Sequence, residues 1–271
     1  MRAEAAAKRT GMGQHSGRIA LVTGAASGIG RCIAQQLACE DGALVCVVDR
    51  NLAGANAVVS EIEAVGGKAR AFEVDLADLP KVVELLGCID AQIGFPDIVI
   101  NDAGVAITMP ALEVGLREWE LSFAVNVTSP FLITGHCMRA MRRRRWGRIV
   151  NVASISGVRA GTGRLAYGAS KAALIAMTRQ FAIESAEWGI TVNAVAPGPV
   201  MTPLMRGLRG SEEVQTFAGI IPMQRYASVD EIAHAVRFLS ADASSYITGE
   251  TLAVDGGFLA SGVFVRNLFE S

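Results

Sequence analysis

The sequence predicts an α/β fold: a single domain in which a doubly wound, parallel β-sheet of about seven strands is flanked by helices. The first observation is that short apolar runs alternate with longer stretches of helical period along the chain. The second is that no tandem repeat, low-complexity block or long Pro/Gly linker interrupts this alternation. Strands that alternate with helices pair in parallel, and right-handed crossovers place the helices on both faces of one sheet.

The individual elements follow from that alternation. Strands are expected at Ile19–Thr23, Leu44–Asp49, 69–74, Ile98–Asn101, 148–153, 191–196 and Thr251–Val254. Helices are expected at 29–40, 53–65, 79–93, 116–141, 166–188 and 229–239. The irregular stretch 197–228 is long for a loop inside a compact domain, which is typical of a lid or binding loop. Residues 1–16 are expected to form a flexible extension, and residues 17–271 one domain.

The composition excludes several classes of protein. Of the 271 residues, 51% are hydrophobic and 19% are charged, which is too apolar for a disordered chain. Lys and Arg number 25 and Asp and Glu number 26, so the net charge is −1 and nucleic acid is not expected as a partner. No apolar run reaches the ~18 residues that a membrane span needs, so a membrane partner is not expected either.

The cysteines and histidines do not predict a metal site. The five cysteines form no C-x-x-C pair, and the three histidines lack the spacing of metal ligands. The amino-terminal segment mixes Ala with charged residues and lacks the apolar stretch of a secretory signal. These features indicate reduced cysteines and a cytoplasmic location.

A glycine-rich turn connects the first predicted strand to the first predicted helix. It has the sequence T-G-A-A-S-G-I-G, from Thr23 to Gly30. Gly24 allows a tight turn, Gly28 lets the backbone approach a diphosphate, and Gly30 lets the helix pack closely on the strand. Free N–H groups at the helix start favour an anion, so the turn predicts dinucleotide binding.

The second strand ends in an acid that bears on the choice of nucleotide. Asp49 can accept both hydroxyls of an adenine ribose and would repel a 2′-phosphate. Ser27 offers no cation to such a phosphate, whereas the neighbouring Arg50 offers one. The sequence therefore favours NAD as the cofactor and leaves NADP open.

A tyrosine and a lysine one helical turn apart predict acid–base chemistry. Tyr167 and Lys171 open a helix on the same face. A phenol with a pKa near 10 is a poor base at neutral pH, and a nearby ammonium together with an oxidised nicotinamide ring is expected to lower that pKa. Ser154 follows the preceding strand, where its hydroxyl would hold the reacting oxygen against Tyr167. This arrangement would exchange a proton with an alcohol or carbonyl oxygen.

A fourth polar residue lies inside the long helix predicted at 116–141. Pro130 has no N–H and cannot bond the carbonyl of Asn126 four residues earlier, so a kink is expected there. The freed carbonyl would hold a water on a proton path to Lys171.

Taken together, these segments resemble the short-chain dehydrogenase/reductase family over residues 16–258. Besides the glycine-rich turn and the Ser154/Tyr167/Lys171 spacing, N-A-V-A-P-G at 193–198 and T-G-E-T-L-A-V-D-G-G at 248–257 carry the resemblance. It implies a Rossmann-type domain and a catalytic tetrad of Asn126, Ser154, Tyr167 and Lys171. It implies a cofactor site formed by Gly24, Ser27, Gly28, Ile29, Gly30, Asp49, Asp75, Asn101, Ala103, Gly104, Tyr167, Lys171, Pro197, Gly198, Val200 and Thr202.

The resemblance also implies a mobile substrate lid at residues 203–217. The chain departs from the family at one motif: N-N-A-G reads N-D-A-G here, with Asp102 in place of the second Asn. Substrate-pocket candidates by family position are Val105, Ser156, Arg159, Arg164, Leu165 and Leu204. Arg164 would recognise a carboxylate or polyol oxygen, or would point to solvent.

The expected activity is hydride transfer between a nicotinamide cofactor and a small secondary alcohol or ketone, with a polyol or sugar favoured. The alternative is a 3-oxoacyl acyl-carrier-protein reductase, in which the arginines at 142–145 would dock the acidic carrier protein. At the end of a helix those arginines would otherwise complement its dipole. A non-catalytic nucleotide-binding regulator is a remote third alternative. By resemblance, the chain is expected to form a homotetramer or homodimer through the helices at 116–141 and 166–188 and the last strand.

Overall fold

A computed structural model describes residues 13–202 and 211–262 of the chain. Seven strands form one parallel sheet within those residues, in the order β3-β2-β1-β4-β5-β6-β7. The strands are β1 Ile19–Thr23, β2 Leu44–Asp49, β3 Lys68–Glu73, β4 Ile98–Asn101, β5 Gly147–Val152, β6 Ile190–Pro197 and β7 Thr251–Val254. The doubly wound parallel sheet predicted from the sequence is thereby confirmed.

The helices connect successive strands and lie on both faces of the sheet. They are α1 Gly28–Cys39, α2 Leu52–Ala64, α3 Leu79–Gln92, α4 Leu116–Phe123, α5 Ser129–Arg144, α6 Leu165–Ser185, α7 Ser211–Ala218 and α8 Val229–Ser240. Predicted and observed helix ends differ by no more than three residues, except in the two places discussed below.

Side chains alternate between two cores along each strand, as the two-residue period of a strand requires. In β1, Ala20 and Val22 pack against α1, α2 and α8, whereas Leu21 packs against α3, α5 and α6. Both sets are fully buried. A sheet covered on both faces explains why its strands read as continuous apolar runs.

The strand order reverses between β1 and β4, and this reversal positions the site. β2 and β3 lie on one side of β1, and β4 to β7 lie on the other. Ligands of open α/β sheets bind outside the carboxyl ends of the strands at such a reversal. The glycine-rich turn follows β1 there, and residues 102–105 follow β4.

The long helix predicted at 116–141 is interrupted, and the interruption is a π-helical segment rather than a simple kink. α4 ends at Phe123, a π-helix covers Ala124–Thr128, and α5 continues from Ser129. The Ser129 N–H bonds the Ala124 carbonyl five residues back. Because Pro130 has no N–H for the Asn126 carbonyl, the wider turn accommodates the break in the hydrogen-bond ladder.

The stretch 197–228, expected to be irregular, contains the helix α7 at Ser211–Ala218. This helix has eight residues and overlaps the lid predicted at 203–217. Residues 203–210 of that lid lie outside the described residues. Leu204 is among the residues that are not described.

Part of the predicted extension packs on the domain. The His15 side chain is fully buried, and the backbone N–H of His15 donates to the Asp41 carbonyl at 2.8 Å. The Gln14 amide donates to the Asp41 carboxylate at 3.0 Å. These contacts begin before residue 17, where the domain was predicted to start.

Candidate active site

A cavity of about 520 Å³ opens at the carboxyl edge of the sheet, where the strand order reverses. It brings together most of the residues that the sequence predicted for cofactor and catalysis. Its predicted lining residues are Gly24, Ser27, Gly28, Ile29, Asp49, Asp75, Ala103, Gly104, Val105, Ser154, Tyr167, Lys171, Pro197, Gly198, Val200 and Thr202. The sequence did not single out the apolar lining residues Val48, Val74, Leu76, Ala106, Val125, Val152 and Ala153, which look like ordinary core positions in the sequence.

The glycine-rich turn has the shape that a dinucleotide requires. Gly24 and Gly28 have φ angles of +69° and +58°, in the left-handed region that favours glycine. A Cβ on Gly24 would lie 2.9 Å from the Ala103 Cα, and one on Gly30 would collide with the Gly24 carbonyl. The turn is therefore close-packed on its inner side and presents backbone to the cavity, which fits a bound diphosphate.

Asp49 lies beside this turn with both carboxylate oxygens in hydrogen bonds. One oxygen accepts the Ala26 N–H at 3.1 Å, and the other accepts the Asn51 N–H at 2.9 Å. These amides fix the carboxylate at the cavity wall, where an adenine ribose would meet it. The exposed Arg50 lines the same end of the cavity, so an anion and a cation both face the ribose position.

Thr23 connects the two loops that frame the cavity, a role that the sequence did not assign. Its hydroxyl oxygen accepts the N–H groups of Asp102 and Ala103, each at 3.1 Å. The loop after β4 is thereby fixed to the end of β1. The T in T-G-x-x-x-G-I-G was the signal that could have identified it.

Ser154 and Tyr167 meet at the inner part of the cavity. Ser154 follows β5 and is almost fully buried, and its hydroxyl hydrogen-bonds Tyr167. The Ser154 oxygen also accepts the Ser156 N–H at 3.1 Å, which fixes the serine rotamer. Two hydroxyls therefore converge where a substrate oxygen would be held.

Several influences act on the pKa of the Tyr167 phenol. Burial has the largest effect and raises the pKa above its usual value. The Ser154 hydrogen bond and the positive charge of Arg164 lower the pKa, but by less. The guanidinium carbon of Arg164 lies 5.6 Å from the Tyr167 ring centroid. Arg164 is thus a cation whose charge acts on the phenol.

Lys171 is buried beneath the cavity floor. Its Nζ donates to the Val152 carbonyl at 2.7 Å and lies 5.9 Å from the Tyr167 ring centroid. Burial lowers the pKa of Lys171 to about 8, and the Asp102 charge opposes that shift. A Cβ on Gly104 would lie 3.3 Å from Nζ, so the absence of a side chain at that position leaves room for the ammonium.

Asn126 holds the catalytic framework from behind the cavity. Its side-chain oxygen accepts the Val105 N–H at 2.9 Å, and its amide donates to the Val105 carbonyl at 3.0 Å. The same amide donates to the Ser170 hydroxyl at 2.9 Å. The side chain therefore joins the loop after β4 to α6. The predicted water on its main-chain carbonyl stays a prediction.

Several predicted site residues do not line the cavity. The Asn101 amide donates to Asn151 at 2.8 Å and to Thr134 at 3.3 Å, so it joins β4 to β5 and α5. Gly30 packs beneath the turn. Ser156, Arg159, Arg164 and Leu165 lie on the segments around Tyr167, outside the cavity lining. Arg159 approaches the Phe258 ring at 5.6 Å.

The arginines at 142–145 lie at the opposite end of the molecule. Arg144 bonds the Phe95 and Pro96 carbonyls and pairs with Asp97 at 3.3 Å. Arg142 stacks on Trp188 at 4.2 Å, and Arg145 bonds the Glu187 carbonyl. These partners precede β4 and β6. The 16 residues of α5 span about 24 Å between this end and the cavity.

The described residues contain neither a candidate metal cluster nor a candidate membrane-spanning helix. No cluster of three or more His, Cys, Asp or Glu side chains there could hold a metal ion. No helix in that part of the chain is long and apolar enough to cross a bilayer.

Comparison with known proteins identifies the family. Residues 24–259 match the family profile described as enoyl-(acyl carrier protein) reductase. The 3-oxoacyl acyl-carrier-protein reductase of Escherichia coli is 38% identical over 89% of this chain and 97% of its own. D-threitol dehydrogenase of Mycolicibacterium smegmatis is 37% identical over 89% of this chain and 93% of its own.

A solved structure agrees with these sequence matches. It is provisionally assigned as an NAD(P)-dependent gluconate 5-dehydrogenase from Beutenbergia cavernae and holds NADP at low occupancy. It superposes with a TM-score of 0.86 at 40% identity, covering 91% of this chain and 98% of its own. The chain belongs to the short-chain dehydrogenase/reductase family of nicotinamide-dependent oxidoreductases.

Proposed function

We propose that the protein oxidises a secondary hydroxyl of a small polyhydroxylated substrate, with a sugar acid favoured, and reduces the corresponding ketone in reverse. The observation that carries this proposal is the meeting of the Ser154 and Tyr167 hydroxyls in the cavity above the buried Lys171. The polyol and gluconate assignments of the two relatives support the substrate class.

The residues of this chain manage the proton and the orientation. Ser154 holds the reacting oxygen, Tyr167 takes its proton during oxidation, and Lys171 supplies positive charge below. A nicotinamide ring bound in the cavity supplies the hydride acceptor in this chemistry. Because burial raises the pKa of Tyr167, its phenol form prevails at neutral pH. Oxidation is therefore expected to accelerate as the pH rises, whereas reduction is not.

Arg164 supports an acidic substrate. It begins α6 beside Tyr167, and neither Arg164 nor Arg159 has a carboxylate partner within the described residues. A half-buried guanidinium near the reacting centre is suited to a planar carboxylate. A substrate such as an aldonate carries that carboxylate a few bonds away from its secondary hydroxyls.

The substrate class is tested with the Arg164→Gln variant on gluconate-type acids and on neutral polyols such as D-threitol. We expect kcat/KM on the acid to fall about 10- to 100-fold while the polyol rate changes little, since only the acid loses a charge-assisted contact. Arg179→Gln, which removes an exposed arginine from α6, is the matched control. An equal loss on both substrates would contradict the proposed role of Arg164.

We propose NAD as the preferred cofactor, with NADP as a weaker one. The fixed Asp49 carboxylate supports this choice because it would repel a 2′-phosphate. Arg50 and the NADP in the gluconate 5-dehydrogenase structure point the other way. Initial rates with both cofactors measure the preference. In Asp49→Asn the ratio is expected to move at least tenfold toward NADP, and an unchanged ratio would remove Asp49 from the selection.

The second candidate function is reduction of a 3-oxoacyl thioester on a carrier protein. Relatives with that activity, such as the E. coli enzyme, favour it. The arginines proposed to dock the carrier contact their own chain at the far end of α5, which argues against it. Turnover confined to NADPH and a 3-oxoacyl thioester would select this candidate instead.

We also propose a homodimer or homotetramer assembled through α5 and α6. Phe131 is 51% exposed on α5, Ile183 is 73% exposed on α6, and the Phe131 ring contacts Phe181 at 6.1 Å. Adjacent exposed apolar groups of this kind are typical of subunit interfaces. Light scattering of the purified protein tests the proposal, and a monomer at micromolar concentration would refute it.

A further inference from the structure

Asp102 places a carboxyl group behind the glycine-rich turn. The residue follows β4, and it is half-buried and lines the dinucleotide cavity. One carboxyl oxygen lies 2.7 Å from where a Cβ on Gly30 would be, and the Gly30 backbone favours the ionised form of the carboxyl group. An acid thus lies beside the first turn of α1, the helix whose start faces a diphosphate.

The backbone that carries this carboxyl group is fixed to the end of β1. Thr23 holds the backbone of Asp102 and of the next residue with two hydrogen bonds of 3.1 Å. Among the described residues, the charged groups that act on the carboxyl are Lys171 from α6 and Asp49 from the end of β2. Lys171 favours the ionised form, and Asp49 disfavours it.

A dinucleotide would add the negative charges of its diphosphate to this surface. Among the described residues, the cavity lining also holds the carboxylates of Asp49 and Asp75, the exposed guanidinium of Arg50 and the buried ammonium of Lys171. Like charges that share a buried site cannot all remain ionised without cost. Of the three acids, Asp75 is exposed and Asp49 is held by two amides, whereas Asp102 lies directly against Gly30 of the turn.

We propose that Asp102 takes up a proton when a dinucleotide binds, so that its protonation state sets cofactor affinity. This inference rests on the proposed use of a nicotinamide dinucleotide, but not on any particular alcohol substrate. Asp102 is a positioning residue in this role, because it acts on the glycine-rich turn rather than on the reacting atoms.

The direction of the pH effect follows from the state of the free protein. Burial raises the pKa of Asp102 to about 7, so the group titrates near neutrality. A bound diphosphate raises it further, which makes the bound form hold more protons. Affinity must then fall as the pH rises. For a rise of about one pKa unit on binding, the linkage relation gives uptake of about 0.4 proton at pH 7 and a loss of about fivefold in affinity from pH 6 to 8.

Calorimetric titration with NAD⁺ and with ADP-ribose at pH 7.0, in two buffers of different ionisation enthalpy, measures this proton uptake. We expect uptake by the native protein with both probes, since ADP-ribose carries the diphosphate without the nicotinamide. Asp102→Asn keeps the shape of the side chain and is expected to bind without uptake. Asp75→Asn, which removes an exposed carboxylate from the same cavity, is expected to keep the uptake whatever its effect on affinity.

Each outcome bears on the inference. Binding by the native protein without proton uptake overturns it with no variant needed, and uptake that persists in Asp102→Asn assigns the proton to another group such as Lys171. Uptake that disappears in Asp102→Asn supports it, even if no polyol or sugar acid is turned over. Turnover on those substrates without uptake leaves the proposed function standing and removes only the role of Asp102.

Discussion

The two ends of the sheet use the same kinds of residue for opposite purposes. At the amino end, two guanidinium groups lie over the Trp146 ring, with their carbons 3.5 Å (Arg18) and 4.6 Å (Arg148) from its centroid. The indole N–H donates to Asp242 at 3.2 Å, and Asp242 pairs with Arg18 at 3.1 Å. His15 lies buried beside this cluster and bonds Arg18 at 3.2 Å. The charged and aromatic side chains of this cluster are therefore paired with one another within the chain.

At the carboxyl end, the polar groups face a cavity instead. Ser154 and Tyr167 meet there, and Asp102 lies half-buried behind the glycine-rich turn. Arg164 has no carboxylate partner among the described residues. Charged groups that could pair but do not are costly unless a ligand or a reaction uses them. The contrast supports a structural role for the charged groups at the amino end of the sheet and a functional role for those at the carboxyl end.

The largest expected effect separates the two ends by activity. Tyr167→Phe removes the only group proposed to exchange the substrate proton, and we expect kcat to fall about 10²- to 10⁴-fold. NAD⁺ binding should stay within about threefold, since the phenol is not needed to hold the diphosphate. Initial rates and calorimetric binding on the same preparation measure both quantities.

Tyr246→Phe is the matched control for this variant. Tyr246 is fully exposed in the loop before β7, at the amino end of the sheet, and its loss should leave kcat unchanged. Equal activity of Tyr167→Phe and the native protein would break the comparison. It would also revive the non-catalytic nucleotide-binding alternative.

The next effect concerns stability, at the amino end. Burial lowers the pKa of His15 from 6.5 to about 4, with Asp41 opposing the shift. Between pH 6.5 and 4 the unfolded chain therefore binds a proton at His15 that the folded chain does not bind. The contribution of His15 to the free energy of unfolding is complete above pH 6.5 and is lost as the pH falls toward 4. This single group is expected to remove about 2.5 kcal/mol between pH 7.5 and 4.5.

His15→Gln isolates that contribution. Urea unfolding at pH 7.5 and 4.5 should show the variant losing about 2.5 kcal/mol less than the native protein over this range. His234→Gln, which alters an exposed histidine on α8, should follow the native protein. Identical pH dependences for His15→Gln and the native protein would mean that His15 titrates normally in the folded state.

The periodic parts of the fold were predictable because local patterns determine them. The bounds of β1, β2, β4 and β7 were predicted to the residue. In β1, β2 and β4 the reason is that apolar runs buried on both faces end abruptly at polar turns. The glycine-rich turn and the Tyr167–Lys171 spacing identified the cavity because each places its groups within one turn of backbone.

What the sequence missed depends on contacts between distant segments. The π-helix at Ala124–Thr128 and the short helix α7 carry no distinctive local period. The hydrogen bond from the Asn101 amide to Asn151, 50 residues away, follows from no local pattern. The burial that raises the pKa of Tyr167 is not reported by any local pattern either.

The smallest expected effects sharpen the comparison at the arginines of α5. The exposed Arg143 lies 5.6 Å from the centroid of the Phe95 ring. Arg142 makes the closer contact, 4.2 Å from the centroid of the Trp188 ring. Exposed cation–π contacts contribute about 0.5–1 kcal/mol at short distance. Arg142→Ala should therefore cost about that much free energy of unfolding, and Arg143→Ala less.

Combining these two substitutions in one variant tests the carrier-protein alternative. If the arginines serve only the structure, the Arg142→Ala/Arg143→Ala double variant keeps the same KM for a 3-oxoacyl thioester whether the acyl group is on a carrier protein or on a small thiol. If they dock a carrier protein, the KM for the carrier-bound thioester alone rises about tenfold, since two phosphate- or carboxylate-directed contacts are lost. That result would make the amino end a recognition surface and would overturn the division of the molecule drawn from its contacts.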